Sequence, residues 1–296
     1  MKLHQLTRAS SHRRLSPSAP ESGPAGFGEA QPEGDDDCTH ATTLDGPAAR
    51  TRTVSTDERL TDKQCGRRIP LIAVEAIIGA GKSTLLETIK NAYSASGELL
   101  VVQEPVETWM NVNAAGENLL EMYYGDQKRW AFSFQTFAMF SRIEALRQVE
   151  ATATDATRAI VIERSWLSDR HCFAAMLKDD GNLSAVEEAM HAQLFRETKW
   201  PKIDGVVYLD VDVANAQKRV AARGRSEESE IPTDYQERLS KKHEEWVTKL
   251  EGDANESVGV LRLDANKIKS AEMNDLWMRD LGCFVTQLEE QKSRER

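Results

Sequence analysis

At 296 residues, with 40% apolar and 29% charged side chains, the chain has the composition of a globular protein with a real core, not a fibrous or wholly disordered one. Its formal net charge of −10 argues against a non-specific nucleic-acid binder, which needs a basic stripe to neutralise phosphates. No apolar run approaches the ~18 residues of a membrane span, and the four scattered cysteines (Cys38, Cys65, Cys172, Cys283) lack metal-ligand spacing, as reduced intracellular thiols would.

The composition changes near residue 69. Before it lie five of the nine prolines, many Ser, Thr and Gly, and the run Asp35-Asp36-Asp37. Such a stretch buries too little apolar surface to offset its ordering entropy, so residues 1–68 are expected to be a disordered tail. Its first twenty residues carry Lys2, Arg8, Arg13 and Arg14 and no acid before Glu21. That is the composition of an organellar transit peptide without its apolar face. A transit peptide and an untargeted tail both stay open, and with them a cytoplasmic or a mitochondrial location.

From residue 69 onward, short β-branched runs alternate with amphipathic stretches of helical length. Strands are predicted at 71–75, 99–103, 159–162, 205–210 and 259–263. Near-continuous apolar strands separated by helices imply a five-stranded parallel sheet covered on both faces, an α/β fold in a single domain over 69–296. Its ligand is expected outside the carboxyl ends of the strands.

The first strand runs into Ala76-Ile-Ile-Gly79-Ala80-Gly81-Lys82-Ser83, which fits G-x-x-x-x-G-K-[ST] at every fixed position but the first. Glycines let successive backbone N–H groups curl around phosphate oxygens. Lys82 supplies a point charge for the β- and γ-phosphates, and Ser83 a hydroxyl for Mg²⁺. A helix from Thr84 to about Ala92 aims its positive end at the anion. The segment therefore predicts a nucleoside triphosphate site. Ala76 departs from the pattern, and a methyl there costs on the order of 1 kcal/mol if the backbone requires positive φ.

Four further clusters follow predicted strands or lie between them. Glu104-Pro-Val-Glu-Thr-Trp109 leaves strand 2, and a carboxylate beside bound phosphates suits the removal of a hydroxyl proton. Glu163-Arg164-Ser-Trp-Leu-Ser-Asp169-Arg170 leaves strand 3, where charges must pair with each other or with a polar ligand. Between them, Phe134, Gln135, Ala138 and Arg142 fall on roughly one face of a helix. Finally Arg219, Arg223 and Arg225, around a helix-ending Gly224, suit a flap closing over a triphosphate.

In this order, the clusters over about 69–290 resemble the deoxynucleoside kinases, in particular the deoxycytidine/deoxyguanosine kinase branch. That family's loop reads E-G-N-I-[GA]-A-G-K-S-T where this chain has Glu75-Ala-Ile-Ile-Gly-Ala-Gly-Lys-Ser-Thr84, with Ala76 for Gly and Ile77 for Asn. E-P-V-x-x-W is matched by Glu104 to Trp109 and E-R-S-x-x-S-D-R by Glu163 to Arg170. R-x-x-x-R-x-R-x-E-E is matched by Arg219 to Glu228, followed by Ile231-Pro232 and Tyr235. The resemblance implies a three-layer P-loop NTPase fold with an arginine-rich lid. It implies transfer of the γ-phosphate of ATP or another NTP to the 5′-hydroxyl of a deoxyribonucleoside in salvage. Glu104 would be the general base, Arg164 would hold the hydroxyl, and Lys82 would act on the phosphates. Ile78, Gly79, Ala80, Gly81, Lys82, Ser83 and Thr84 would bind ATP with Arg219, Arg223 and Arg225, and Ser83 and Glu163 would orient Mg²⁺. Trp109, Phe134 and Phe173 would sandwich the base, beside Leu120, with Gln135 on its edge, and Tyr124 and Glu228 would take the 3′-hydroxyl.

Ala138, Arg142 and Asp169 would set the base. An ionised Asp169 accepts from an exocyclic amino group, whereas thymine opposes it with another acceptor, at roughly 1–3 kcal/mol. Deoxycytidine, deoxyadenosine and deoxyguanosine are therefore expected over thymidine. Beyond Asp264 the family's adenine-stacking loop is not matched, and Ile268 is a candidate to cover the donor adenine. The resemblance further implies a homodimer and inhibition by an end-product triphosphate. A nucleoside monophosphate kinase and a non-catalytic structural subunit of the same fold are the alternatives; the retained Lys82, Ser83, Glu104, Glu163 and Arg164 argue against the second.

Overall fold

The five apolar runs form one sheet of parallel strands, β1 (Leu71–Glu75), β2 (Leu99–Val102), β3 (Ala159–Glu163), β4 (Gly205–Asp210) and β5 (Gly259–Asp264), in the order β2-β3-β1-β4-β5. This computed structural model describes residues 68–113, 115–224, 231–253, 258–266 and 271–294. The expected tail up to residue 67 lies outside them, as do Arg225, Glu228 and Ile268.

Ten helices are described around the sheet: α1 (Lys82–Tyr93), α2 (Val106–Met110), α3 (Leu119–Gly125), α4 (Gln127–Glu150), α5 (Trp166–Ser168), α6 (Ala174–Asp179), α7 (Ala185–Glu197), α8 (Val213–Arg223), α9 (Thr233–Gly252) and α10 (Ala271–Arg294). A π turn, Asp169–Phe173, joins α5 to α6. β1 and β3 are buried at every residue, so both faces of the sheet are covered, as their unbroken apolar runs require. Strand ends shift by a residue from the predicted ones: β2 stops at Val102, and β3 and β5 run on to Glu163 and Asp264. Among the described residues no helix is long and apolar enough to cross a membrane, and the two described cysteines, buried Cys172 and exposed Cys283, are free.

The topology positions the site. After β1 the chain builds β2 and β3 on one side and β4 and β5 on the other. That switch leaves a crevice at the carboxyl end of β1. Register aligns Val74 with Glu163 and Val102 with Ile162, so the residues leaving β1, β2 and β3 emerge together around it. A second apolar cluster, built from Trp109 of α2, Leu120 and Tyr123 of α3, and Phe134 and Ala138 of α4, stands apart from the main core and walls the far side.

Candidate active site

The loop after β1 has left-handed backbone at Gly79 (φ 83°) and Gly81 (φ 104°). A Cβ on Gly79 would lie 2.4 Å from the Ala216 carbonyl oxygen of α8, so that position needs glycine for space as well as for conformation. Ala76 is different. Arg164 is the one non-glycine residue with positive φ among those described, so the backbone penalty considered for Ala76 does not arise. Ala76 and Ile77 both pack into the main core. The loop is braced from outside: Gln236 Nε2 donates to Ile78 O at 2.8 Å, and Arg219 spans Ala80 O (3.0 Å) and Ala265 O (2.7 Å). Lys82 Nζ donates to the carbonyls of Ile77 (3.0 Å) and Ala76 (3.3 Å). Burial, and then the neighbouring Arg164, pull its pKa down to about 7 against the carboxylates of Glu163 and Glu104. Among the described residues Lys82 bonds only to backbone carbonyls, and a bound phosphate would give it a direct anionic partner.

Beside it, Ser83 Oγ donates to Glu163 Oε1 at 2.7 Å. The expected pairing of Arg142 with Asp169 is present: Nη1 donates to both carboxylate oxygens, at 2.7 and 3.0 Å. Arg142 Nη2 also reaches Glu104 Oε1 at 2.5 Å, and Arg164 Nε stands 3.4 Å from the same oxygen. Glu104 therefore sits between two arginines. Burial works to raise its pKa, but Arg142, Arg164 and Lys82 together hold it below the ordinary range. Asp169 behaves oppositely, because burial outweighs Arg142 and lifts it to about 6. Arg164 has φ 62°, donates its backbone N–H to Val74 O at 3.0 Å, and lays its guanidinium 4.7 Å from the Phe173 ring centre. Strained backbone at a buried arginine among carboxylates marks a site held in place by its surroundings.

The aromatic residues converge on the same opening. Trp109 meets Phe134 edge-on at 5.3 Å and donates its indole N–H to Ser141 Oγ at 2.8 Å. One cavity of about 880 Å³ runs from the phosphate loop to these rings. Its walls include Ile78 to Thr84, Glu104, Arg142, Glu163, Arg164, Asp169, Arg219 and Arg223 on the loop side. Trp109, Leu120, Tyr124, Phe134, Gln135 and Phe173 close the aromatic end. Ala138 lies on the same face of α4, buried in the second apolar cluster beneath that wall, and does not line it.

Sequence reasoning gave no role to Tyr123, Trp277 or Glu75, and placed Tyr235 only by its spacing after the lid pattern. Tyr123, Tyr235 and Trp277 also line the cavity. Glu75, fully buried below it, accepts from Ser165 Oγ at 2.6 Å and is raised to about 7 by burial, against the pull of Arg164. A carboxylate closing an otherwise apolar strand was the available signal for Glu75. Tyr123 was masked by its neighbour Tyr124, and nothing local marked Trp277, which α10 brings in from the end of the chain.

A glycine loop with a buried lysine, a hydroxyl–carboxylate pair and an aromatic slot with buried charges, all on one cavity, define a P-loop phosphotransferase with a second pocket for a flat acceptor. The deoxynucleoside kinase family model matches residues 72–284. The chain is 34% identical over 229 residues to deoxycytidine kinase of Mus musculus, covering 68% of this chain and 86% of that protein. It is 32% identical over 230 residues to deoxycytidine kinase 2 of Gallus gallus (70% and 86%) and 30% identical over 200 residues to the mitochondrial deoxyguanosine kinase of Xenopus laevis (62% and 74%). The chain belongs to the deoxynucleoside kinase family: it is a salvage kinase that moves a phosphate from a nucleotide donor to a deoxynucleoside.

Proposed function

We propose that the enzyme transfers the γ-phosphate of ATP to the 5′-hydroxyl of a deoxynucleoside held in the aromatic slot, and that it prefers deoxycytidine and the deoxypurine nucleosides to thymidine. The observation that carries this reading is the position of Glu104, where the two halves of the cavity meet, with Arg142 at 2.5 Å and Arg164 at 3.4 Å. Held ionised, Glu104 takes the proton of the 5′-hydroxyl as its oxygen bonds to the γ-phosphorus. The bond from that phosphorus to the β–γ bridging oxygen breaks, and ADP leaves. Arg164 orients the hydroxyl, and Lys82 with Arg219, Arg223 and Arg225 spreads positive charge over the transferring group. The Ser83 hydroxyl and Glu163 carboxylate, in mutual contact at 2.7 Å, are hard oxygen donors that fit Mg²⁺ beside the phosphates. Bound there, Mg²⁺ would neutralise the charge developing on the β- and γ-oxygens.

Phe134, Trp109 and Phe173 enclose the base, Gln135 meets its edge, and Tyr124 with Glu228 takes the 3′-hydroxyl. The Arg142–Asp169 pair presents an acceptor to an exocyclic amino group, which is the basis for the order of bases. A monophosphate acceptor would need unengaged basic residues where Arg142 and Arg164 already face Glu104 and Asp169. The proposal extends to a kinase domain over 69–296 preceded by a tail that sets a cytoplasmic or mitochondrial location. It also extends to a homodimer, in line with the exposed Phe140 of α4 and Met190 of the adjoining α7.

Glu104→Gln tests the assignment. The variant should keep the KM values for ATP and deoxycytidine within a few-fold and lose about 10²–10⁴-fold in kcat, the range of general-base catalysis. An unchanged kcat would remove Glu104 from that role.

A further inference from the structure

We propose that Glu75 is a positioning residue of the transfer reaction: through Ser165 it fixes the turn that carries Arg164 and Asp169 in place against the phosphate loop. This rests on the reading of Arg164 and Asp169 as acceptor-site residues and goes beyond it, since Glu75 does not itself line the cavity. Glu75 is the last residue of β1, and the loop begins at the residue after it. Glu75 and Ser165 are both fully buried, and Ser165 Oγ donates to Glu75 Oε1 at 2.6 Å. The two hydroxyls beside the carboxyl, those of Ser165 and Ser168, both belong to the segment that leaves β3. A carboxyl at the end of an otherwise apolar strand is costly to bury, and what it gains there is this one segment.

Ser165 stands at the N-cap of α5, where a serine hydroxyl ordinarily accepts from a backbone N–H of the first turn. Here that bond is absent, and the hydroxyl donates to Glu75 instead. The turn closes on itself through Ser168 Oγ and the Asp169 N–H, which donate to Ser165 O at 3.0 and 3.2 Å. On one side of Ser165 lies Arg164 in left-handed backbone. On the other, the π turn brings Asp169 and Phe173 to the cavity. The β1–β3 ladder ends just before Glu75, with the Arg164 N–H on Val74 O at 3.0 Å, so the Glu75–Ser165 bond carries the tie one residue further by side chains. Lys82 is seated on the carbonyls of Ala76 and Ile77, the two residues that follow Glu75. One bond between buried side chains thus links the seat of the donor-side lysine to the arginine and carboxylate of the acceptor side. Transfer needs the hydroxyl oxygen within about 3–3.5 Å of the phosphorus, so a small slip between the two halves costs rate.

Ser165→Ala removes the donor, Glu75→Met removes the acceptor at similar volume, and Glu75→Gln keeps an oxygen that accepts from Ser165. Steady-state kinetics with ATP and deoxycytidine should show nucleoside kcat/KM about tenfold lower in Ser165→Ala, with the KM for ATP within twofold of wild type. Glu75→Gln should keep at least about a third of the wild-type value, and Glu75→Met should fall at least as far as Ser165→Ala. The double variant should be no worse than Glu75→Met alone, because the two groups share one bond. Thermal melts separate positioning from packing: a purely structural bond would lower Tm and leave the kinetics of folded Ser165→Ala intact. Ser165→Ala within twofold of wild type in nucleoside kcat/KM overturns the proposal, and so does Glu75→Gln falling as far as Glu75→Met. Should Glu75→Met not fold, Ser165→Ala still decides. A wild type that phosphorylates no deoxynucleoside overturns the reading of the site instead, so the two failures are distinct.

Discussion

Arg164 and Asp169 show how single residues in this site are held in states they would not choose in water. Arg164 occupies left-handed backbone, at about 1–2 kcal/mol, and is 4% exposed. The parallel bond to Val74 and the two carboxylates nearby fix it there. Asp169 is lifted to about 6 although Arg142 touches both of its oxygens. The sign of its effect follows: above about pH 6 the carboxylate is ionised and accepts from an amino group, and below it the protonated acid loses that capacity. Because kcat/KM reports the free enzyme, kcat/KM for deoxycytidine should fall as pH drops from 7.5 through 6 to 5. A flat profile over that range would show that Asp169 ionisation does not govern base binding. The chemistry of Asp169 and Arg142 was legible in the sequence through the resemblance to the deoxynucleoside kinases, whose motifs these residues match. The burial of Glu75 was not, since a strand's last residue faces the core or solvent according to what packs on it.

At the scale of elements, the phosphate loop and α8 form one unit. Gly79 approaches the α8 backbone so closely that its missing Cβ is part of the packing, whereas a Cβ on Gly81 would meet nothing within 4 Å. Both positions have positive φ. Gly81→Ala should therefore cost about 1–2 kcal/mol from conformation alone, and Gly79→Ala a further 1–3 kcal/mol from overpacking against Ala216. Urea or thermal unfolding of the two variants checks the order; equal losses would contradict the contact between loop and helix. Ala76, which from the pattern alone looked like a weak point, carries no such strain. The pattern records which residue usually stands at a position, not the backbone angle this chain adopts there. On α4 the helical period correctly put Phe134, Gln135 and Arg142 on one face. It could not tell that Ala138 stops short of the cavity, because reach depends on side-chain length as well as direction.

For the molecule as a whole, the sheet was legible because fully buried parallel strands must be almost continuously apolar. Its strand order and the crevice beside β1 come from pairings between distant segments. The same long-range assembly brings Trp277 to the cavity from beyond the last recognised motif. What the assembled cavity adds is adjacency: a phosphate loop and an aromatic slot share one space of about 880 Å³, with Glu104 between them. The most direct test is ATP-dependent phosphorylation of the four deoxynucleosides by the full chain, compared by kcat/KM. Deoxycytidine or a deoxypurine nucleoside should lead, with thymidine at least about tenfold behind, the factor set by one unpaired buried acceptor. Thymidine as the best substrate would contradict the role given to Asp169, and no transfer to any of the four would contradict the account of the site.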